Sequence, residues 1–234
     1  MKFPNRKFAG ERLGERLVQY LEQHDLKNSN DLVVVGLPRG GVPVAYEVAK
    51  RLQCPLEILA SKKLPFPGQP EFAIGAVSSD GIVVLNPDIP VGEDWRHYVE
   101  QQRRGLLQKT AEIENQYYKR AGRPHRTDFK DKIVILIDDG VATGMTAIAA
   151  LETFKERGAK MTIVAAPVMG KESYATLAEH ASEVIALFLP DDFQAVGAHY
   201  QDFSQTTDEE VVQALRDSEV NNLPLKHKTN SVGN

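Results

Sequence analysis

The most constraining feature of the chain is the segment KIVILI at 132–137, apolar at every position after its lysine, which leads directly into a turn with two acids and two glycines. The turn, DDGVATGMT at 138–146, precedes a helical pattern in which Ile148, Leu151 and Phe154 share one face. A strand that is apolar at every position is typical of a parallel sheet covered on both faces. In open sheets of this kind, ligands bind where the strands end at their carboxyl edge. The segment therefore predicts a buried strand, a ligand-binding turn and a helix, in that order.

The same alternation of strand and helix patterns continues along the chain. AIGAVSS and GIVVLN are predicted to pair as a hairpin through Asp80-Gly81, whereas the proline-rich segment 61–72 is expected to be an exposed loop. This order predicts an α/β fold, with a mainly parallel twisted sheet and helices on both faces. The domain is expected to cover 1–216, and the polar segment 217–234 is expected to be a disordered tail. Strands are predicted at 32–36, 55–61, 132–137, 160–168 and 184–189, and helices at 9–24, 43–52, 93–120, after 146 and at 171–181.

Composition and charge limit the classes of partner. At 234 residues the chain fits one domain, and its formal net charge of −4 argues against a general binder of nucleic acid. No stretch approaches the roughly 20 apolar residues that span a bilayer, and the first residues lack the apolar region of a signal peptide. Cys54 is the only cysteine, which suits a reducing compartment. A cytoplasmic protein without membrane or nucleic-acid partners is therefore expected, and the six histidines show no metal-ligand spacing.

The turn at 138–146 combines groups that suit a phosphorylated sugar. Asp138 and Asp139 accept hydrogen bonds when ionised, which suits two vicinal sugar hydroxyls. Gly140 and Gly144 allow close backbone approach, and the free N–H groups that open the following helix form an anion site. The hydroxyl donors of the turn are Thr143 and Thr146. One end of the turn thus suits hydroxyls and the other suits a phosphate, so the predicted ligand is a ribose 5-phosphate. A Walker A loop and a GxGxxG fingerprint are both absent from the sequence.

The segment VILIDDGVATGMT, 134–146, resembles the signature of type I phosphoribosyltransferases: an apolar strand, two acids, two small or apolar residues and a small-T-G-x-T phosphate loop. The resemblance implies that Asp138 and Asp139 bind the ribose hydroxyls of 5-phosphoribosyl-1-pyrophosphate and take part in catalysis. Gly140 departs from the family pattern, which usually has an aliphatic residue or serine there. The residues implied to contact the ribose or its 5-phosphate are Asp138, Asp139, Gly140, Val141, Ala142, Thr143, Gly144, Met145 and Thr146.

A second match lies at the turn after the first core strand, where the family binds pyrophosphate. GLPRGGVPVA, 36–45, has a PRGG core similar to the SRGG of xanthine-type members. The resemblance implies that an arginine side chain and the N–H groups of a glycine pair hold the pyrophosphate, with help from a lysine of a lid loop. These residues are Arg39, Gly40, Gly41 and Lys63, or its neighbour Lys62.

The wider pattern adds KKLPFPGQPEFAIGAV and FQAVGAHYQDFSQTTDEEV to these motifs. Over roughly 5–216 it resembles a group of predicted bacterial phosphoribosyltransferases whose acceptor is undefined. The resemblance implies a small hood near 1–24 and 190–206, in which Phe193, Tyr200 and Phe203 either stack on a base or pack within the hood itself.

The reaction that the resemblance implies is the displacement of pyrophosphate from the anomeric carbon by a ring nitrogen of a nucleobase-like acceptor, with Mg²⁺ held mainly by the substrate. Ala142 stands where hypoxanthine-guanine members have an aspartate, which argues mildly against a 6-oxopurine and leaves the acceptor open. Two other classes stay open: a hydrolase or phosphorylase of a phosphoribosyl compound, and a non-catalytic nucleotide-sensing regulator of the same fold. Relatives are commonly dimers, so a homodimer is the oligomeric state that the resemblance implies.

Overall fold

The computed structural model of the protein describes residues 1–26, 31–87, 89, 93–124 and 128–221. The helices are α1 (Arg6–Gln23), α2 (Gly41–Leu52), α3 (Glu93–Ala121), α4 (Met145–Glu156), α5 (Lys171–His180) and α6 (Asp208–Asn221), with a short 3-10 helix at Val196–His199. The strands are β1 (Leu32–Gly36), β2 (Leu56–Ile58), β3 (Ser61–Phe66), β4 (Gln69–Ser78), β5 (Val83–Leu85), β6 (Ile133–Ile137), β7 (Met161–Val168) and β8 (Glu183–Phe188). Among these helices, none is both long and apolar enough to cross a bilayer.

Five of the strands form a parallel sheet in the order β2-β1-β6-β7-β8. β1 and β6 pair along their whole length, from Leu32 opposite Ile133 to Gly36 opposite Ile137. Because the two strands run in the same direction, the turns that follow them leave the same edge of the sheet side by side. The two turns that carry the sequence motifs are therefore neighbours in space.

Each face of this sheet is covered by helices. Val34 and Ile135 lie in the core cluster that includes residues of α1, α2, α3 and α6. Val35 and Leu136 point to the opposite face, into the cluster that includes α4 and α5. Burial on both faces explains why β1 and β6 are apolar along almost their whole length. The predicted fold class, a mainly parallel sheet with helices on both faces, is confirmed.

The strands β3, β4 and β5 form a separate antiparallel sheet. β4 and β5 are the predicted hairpin, but the exposed loop predicted at 61–72 is wrong, because most of that segment belongs to β3 and the start of β4. The prolines gave the misleading signal: Pro65 lies at a register shift of the β3–β4 pairing, a position where a sheet tolerates proline. Leu64 and Ile74 are fully buried and pack with Trp95 of α3, so this sheet has its own small core.

A small hood forms where the start of the chain meets the segment after β8. Phe3 and Tyr200 pair as an isolated bridge, and both are buried in a cluster with Phe203. The expected hood region 1–24 is larger than the one observed, because α1 packs into the main core from Leu13 onward.

Helix α6 is an element that the sequence patterns did not predict. Val211 and Leu215 are fully buried in the main core. Ser218 is also buried, and its hydroxyl accepts a hydrogen bond from Arg123 Nη1 at 3.2 Å. The first residues of the expected tail, 217–221, therefore belong to a packed helix, and 222–234 lie outside the described residues.

Candidate active site

The predicted phosphate loop is pinned between β7 and the start of α4. Val141 donates its N–H to Val168 O at 2.9 Å and accepts from Gly170 N at 3.1 Å. Gly144 adopts φ +75°, and this left-handed conformation, which glycine adopts without strain, begins α4 without a side-chain cap. The backbone N–H groups of the first helical turn therefore have no capping side chain, which is the arrangement that binds anions at helix N-termini.

The loop residues differ in what they offer a ligand. Ala142 and Thr143 are exposed, and Thr146 is half-buried. Met145 is buried in the core, so its side chain does not face the loop and only its backbone can serve an anion. A residue that the sequence patterns missed also supports the loop: the Ser173 hydroxyl, from the first turn of α5, donates to Ala142 O.

The acid pair lies directly beside this loop. Asp138 is half-buried and Asp139 is buried, and the Asp139 N–H donates to Asp138 Oδ1 at 2.8 Å. Burial raises the pKa of both carboxyl groups, and the charge of Asp139 raises the pKa of Asp138 further. The pair therefore costs free energy to keep ionised, which is common at functional sites.

Arg6, the first residue of α1, reaches the acid pair from the hood. Its Nε donates to Asp139 Oδ2 at 2.7 Å, and this contact lowers the pKa of Asp139 against the rise that burial causes. Its Nη1 donates to Ser204 O at 2.7 Å, and its guanidinium carbon lies 4.0 Å from the centre of the Phe203 ring. No local pattern predicted Arg6, because it lies 133 positions before its partner.

The predicted pyrophosphate turn is pressed against the acid pair. Leu37 donates its N–H to Ile137 O at 3.0 Å, which links the turn after β1 to the end of β6, and the Pro38–Arg39 peptide bond is cis. A Cβ on Gly40 would lie 2.1 Å from Asp139 Oδ2, and one on Gly41 would lie 2.7 Å from Ile137 O. Only glycine fits at these two positions, so the PRGG motif allows the two turns to touch.

Beside this turn lies a cleft of about 370 Å³, lined by residues of β3, α3 and α6 and of the turns after β1 and β2. Arg39 points into it, and its Nη1 lies 3.5 Å from Asp208 Oδ1 at the start of α6. Tyr117 of α3 donates its hydroxyl to the same oxygen at 2.6 Å. This hydrogen bond and the Arg39 charge lower the pKa of Asp208. The lining residues are Pro38, Arg39, Ala60, Ser61, Lys62, Ile113, Gln116, Tyr117 and Asp208.

The cleft distinguishes the two lysines of β3. Lys62 lines it together with Arg39, whereas Lys63 is exposed and is not part of the lining. Successive strand residues point to opposite sides, which explains why only one of the two shares the side of Arg39. Of the two lysines named from the sequence, Lys62 is therefore the one that shares the cleft with Arg39.

Phe193 and Tyr200, the two aromatic residues expected either to stack on a base or to pack, both lie in the hood, but only Tyr200 is fully packed there. Tyr200 is buried, and its hydroxyl donates to Asp139 O at 2.6 Å, so its ring is not a free stacking surface. Phe193 is half-buried and stacks on His199, with ring centres 5.7 Å apart. The hood also explains Gly140, because a Cβ there would lie 2.4 Å from the Val196 side chain.

Among the described residues, no three His, Cys, Asp or Glu side chains come together as a metal-binding group.

Two motif turns that meet at the carboxyl edge of a parallel sheet are the features expected of the phosphoribosyltransferase class, and comparison with known proteins agrees. The family model described as "Phosphoribosyl transferase domain" matches residues 7–202, so the chain belongs to this family. A protein of Mycobacterium tuberculosis strain H37Rv named "Putative phosphoribosyl transferase Rv0571c" is 42% identical over 217 residues, which are 91% of this chain and 46% of that protein. A counterpart in strain CDC 1551, MT0597, matches equally. The chain thus spans about half the length of the curated relatives it matches.

A solved structure agrees with the fold over the whole domain. The crystal structure of TT1426 from Thermus thermophilus superposes with a TM-score of 0.77 at 38% sequence identity, and covers 93% of this chain and 99% of that one.

Proposed function

We propose that the protein transfers ribose 5-phosphate from 5-phosphoribosyl-1-pyrophosphate to a nitrogen acceptor and releases pyrophosphate. The observation that carries the proposal is the contact between the two motif turns at the ends of the paired strands β1 and β6. Gly40 lies against the Asp139 carboxylate, and the helix N-terminus that follows Gly144 opens beside it. One ligand that spans a diphosphate, a ribose and a phosphate would contact all three features.

Each end of the substrate has a matching set of groups. The 5-phosphate would accept hydrogen bonds from the N–H groups at the start of α4 and from the Thr143 hydroxyl, where the helix dipole also favours negative charge. At the other end, Arg39 and Lys62 would hold the pyrophosphate as charge-assisted donors. The half-buried Asp138 would accept a hydrogen bond from a ribose hydroxyl between these ends.

The chemical step would break the bond between the anomeric carbon and the pyrophosphate oxygen, and the electron pair would leave with pyrophosphate. The lone pair of the acceptor nitrogen would form the new bond, and the nitrogen would lose its proton to solvent or to a base. Positive charge grows on the ribose during this step, so the carboxylates of Asp138 and Asp139 would stabilise it. Mg²⁺ prefers oxygen ligands and retains several waters, and Asp138 offers a carboxylate oxygen of this kind. When bound with the diphosphate, Mg²⁺ would neutralise the charge of the leaving group.

The experiment is a screen of nucleobases and related nitrogen acceptors with phosphoribosyl pyrophosphate and Mg²⁺, in which pyrophosphate release and nucleotide formation are both followed. Pyrophosphate and nucleotide in equal amounts would support the transferase. Pyrophosphate and ribose 5-phosphate without an acceptor would indicate a hydrolase. Tight binding of nucleotides without turnover would indicate a regulator. The cytoplasmic location and the homodimer also stay predictions, and size-exclusion chromatography tests the latter.

A further inference from the structure

Arg6 and Asp139 form a largely buried ion pair at the edge of the site. The Arg6 Nε and Asp139 Oδ2 atoms are 2.7 Å apart, and only 13% and 12% of the two side chains are exposed. A guanidinium and a carboxylate in such a contact fix each other's orientation. Removing either partner leaves the other charge buried without compensation.

The remaining contacts of Arg6 tie this pair to the hood. Nη1 donates to Ser204 O, and the guanidinium stacks on the Phe203 ring. Both residues follow Tyr200, whose hydroxyl donates to the backbone oxygen of Asp139. The hood therefore holds Asp139 at its side chain through Arg6 and at its backbone through Tyr200.

The energetics of α1 do not explain an arginine at this position. Arg6 is the first residue of the helix, and the first turn contains no acidic residue. A cation at a helix N-terminus faces the positive end of the helix dipole, which is unfavourable. The cap is supplied by Asn5, whose side chain accepts from Phe8 N, so Arg6 has no capping role. The reason for an arginine at this position is therefore its contacts with Asp139 and the hood.

We propose, building on the proposed function, that Arg6 is a positioning residue of the ribose site. It holds Asp139 against the pyrophosphate turn and leaves Asp138 as the carboxylate that receives the ribose hydroxyls. Asp139 is enclosed, because the oxygen that contacts Arg6 also lies where a Cβ on Gly40 would be. Asp138 is half-buried and keeps one oxygen on the Asp139 N–H, which fixes the direction of its carboxylate. The two acids of the motif therefore have different roles.

Arg6 also controls the charge of the acid pair. The charged and titratable groups that face Asp139 are Arg6 from α1, Asp138 from the same turn and Tyr200 from the hood. Arg6 lowers the pKa of both carboxyl groups, against the rise that burial causes. Arg6 therefore offsets part of the cost of burying two adjacent carboxylates.

The test compares the affinities for ribose 5-phosphate and for inorganic phosphate by isothermal titration calorimetry at one neutral pH. In Arg6→Gln, we expect ribose 5-phosphate affinity to fall by about ten-fold or more, because a charge-assisted contact near the sugar is lost. Phosphate affinity should change by less than about two-fold, because the phosphate binds at the start of α4 and not at the acid pair. Arg6→Lys keeps the charge and should restore part of the loss.

A matched control is Arg157→Gln. Arg157 also pairs with a carboxylate, that of Asp80, and also lies over an aromatic ring, Phe129 at 5.7 Å. It follows the last residue of α4, at the opposite end from the phosphate loop. Its loss should lower the melting temperature and leave the ratio of ribose 5-phosphate to phosphate affinity unchanged.

The double variant Arg6→Gln with Asp139→Asn decides between a positioning and a direct role. If Asp139 serves mainly as the partner of Arg6, the double variant should bind ribose 5-phosphate at least as well as Arg6→Gln alone, because no unpaired buried charge remains. Additive losses would show that Asp139 contacts the sugar itself, and would overturn the inference. An unchanged affinity ratio in Arg6→Gln would overturn it too. If the wild-type protein does not prefer ribose 5-phosphate to phosphate, the proposed function fails, and this inference fails with it.

Discussion

Replacing Asp208 by asparagine tests whether the cleft contains a contact that pyrophosphate must break. Arg39 Nη1 lies 3.5 Å from Asp208 Oδ1, and the two side chains are 38% and 48% exposed. Under the proposed function, Arg39 must turn to the pyrophosphate, so the carboxylate of Asp208 competes with the ligand. Asp208→Asn removes the competing charge and keeps the size of the side chain. We therefore expect the variant to bind pyrophosphate more tightly.

The exposure of the pair sets the size of the effect. An exposed ion pair contributes about 0.2–1 kcal/mol. Because 1.36 kcal/mol corresponds to a factor of ten, the gain should be about 1.4- to 5-fold in pyrophosphate affinity. The hydrogen bond from Tyr117 and the Arg39 charge lower the pKa of Asp208, so the carboxylate is ionised throughout the neutral range. The gain should therefore not depend on pH there, and should shrink as salt is added.

The assay is isothermal titration calorimetry with pyrophosphate at low salt and at about 0.15 M salt, with ribose 5-phosphate as the control ligand. Asp217→Asn is the matched control variant. Asp217 lies on the same helix, about 13 Å further along than Asp208, and has the same charge. Its carboxylate accepts a hydrogen bond from Gln213. Weaker pyrophosphate binding in Asp208→Asn would refute the reasoning, because it would show that Asp208 holds Arg39 in its binding position. An equal gain of pyrophosphate affinity in Asp217→Asn would show that the effect comes only from the change in net charge.

Three further substitutions test the turns. Gly40→Ala would place a Cβ 2.1 Å from Asp139 Oδ2, so phosphoribosyl pyrophosphate affinity should fall by at least about ten-fold, whereas Gly105→Ala, with open space around it, should leave it unchanged. Asp138→Asn should weaken ribose 5-phosphate by about 10- to 150-fold and leave phosphate binding intact; equal losses for both ligands would make the acid structural. Burial raises the pKa of Asp138, so the free energy of unfolding of the wild type falls as the pH rises and this carboxyl group ionises. Asp138→Asn removes that cost, so the variant should melt at a higher temperature than wild type at pH 7. This difference should disappear near about pH 4, where the wild-type group is protonated in both the folded and the unfolded state. Gly144→Ala forces an L-residue into φ +75°, at a cost of about 1–2 kcal/mol, and should lower both the melting temperature and phosphate affinity; unchanged phosphate affinity would count against the loop.

The parts of the fold that the sequence predicted well are those whose signals are local. β1 and β6 are buried on both faces, so each is an unbroken apolar run that the sequence alone shows to be a strand. The loop prediction for segment 61–72 was wrong because the interactions that make it a strand are not local in sequence. Its prolines favour a loop, and only the pairing of β3 with β4 and the packing of Leu64 against α3 make it a strand.

The same distinction separates the predicted site residues from the missed ones. The glycines of both turns and the two acids stand in short motifs, and the structure brings them together. Arg6, Ser173 and Asp208 reach the site from α1, α5 and α6, and no spacing rule connects them to it. Asp208 alone had a weak signal, since acidic residues at 208–210 are typical of the first turn of a helix. For Tyr200 the sequence allows both packing and base stacking, and only its buried position in the fold shows that it packs.

The fold also decides where a side chain that replaces a glycine would point. The motif alone suggests that a larger residue at Gly144 would fill the place of the phosphate. A Cβ there would instead lie 3.5 Å from Leu177, on the core side of the loop. The loop therefore requires glycine for its backbone conformation, and a substitution would act on the shape of the loop rather than by occupying the anion site.

The charges of the site raise a problem that Arg6 resolves. A phosphoribosyl pyrophosphate carries negative charge at both ends, and the chain itself has a formal net charge of −4. Two adjacent, largely buried carboxylates between those ends would repel the ligand. Under the proposed function, the N–H groups of α4 and the side chains of Arg39 and Lys62 would serve the two ends of the ligand rather than its middle. Under the proposed function, the charge of Arg6 on Asp139 would offset one of the two carboxylates, so the site could keep an acid pair to stabilise a developing cation without excluding the ligand. Affinity for phosphoribosyl ligands should therefore depend on this one buried arginine more than on the net charge of the protein.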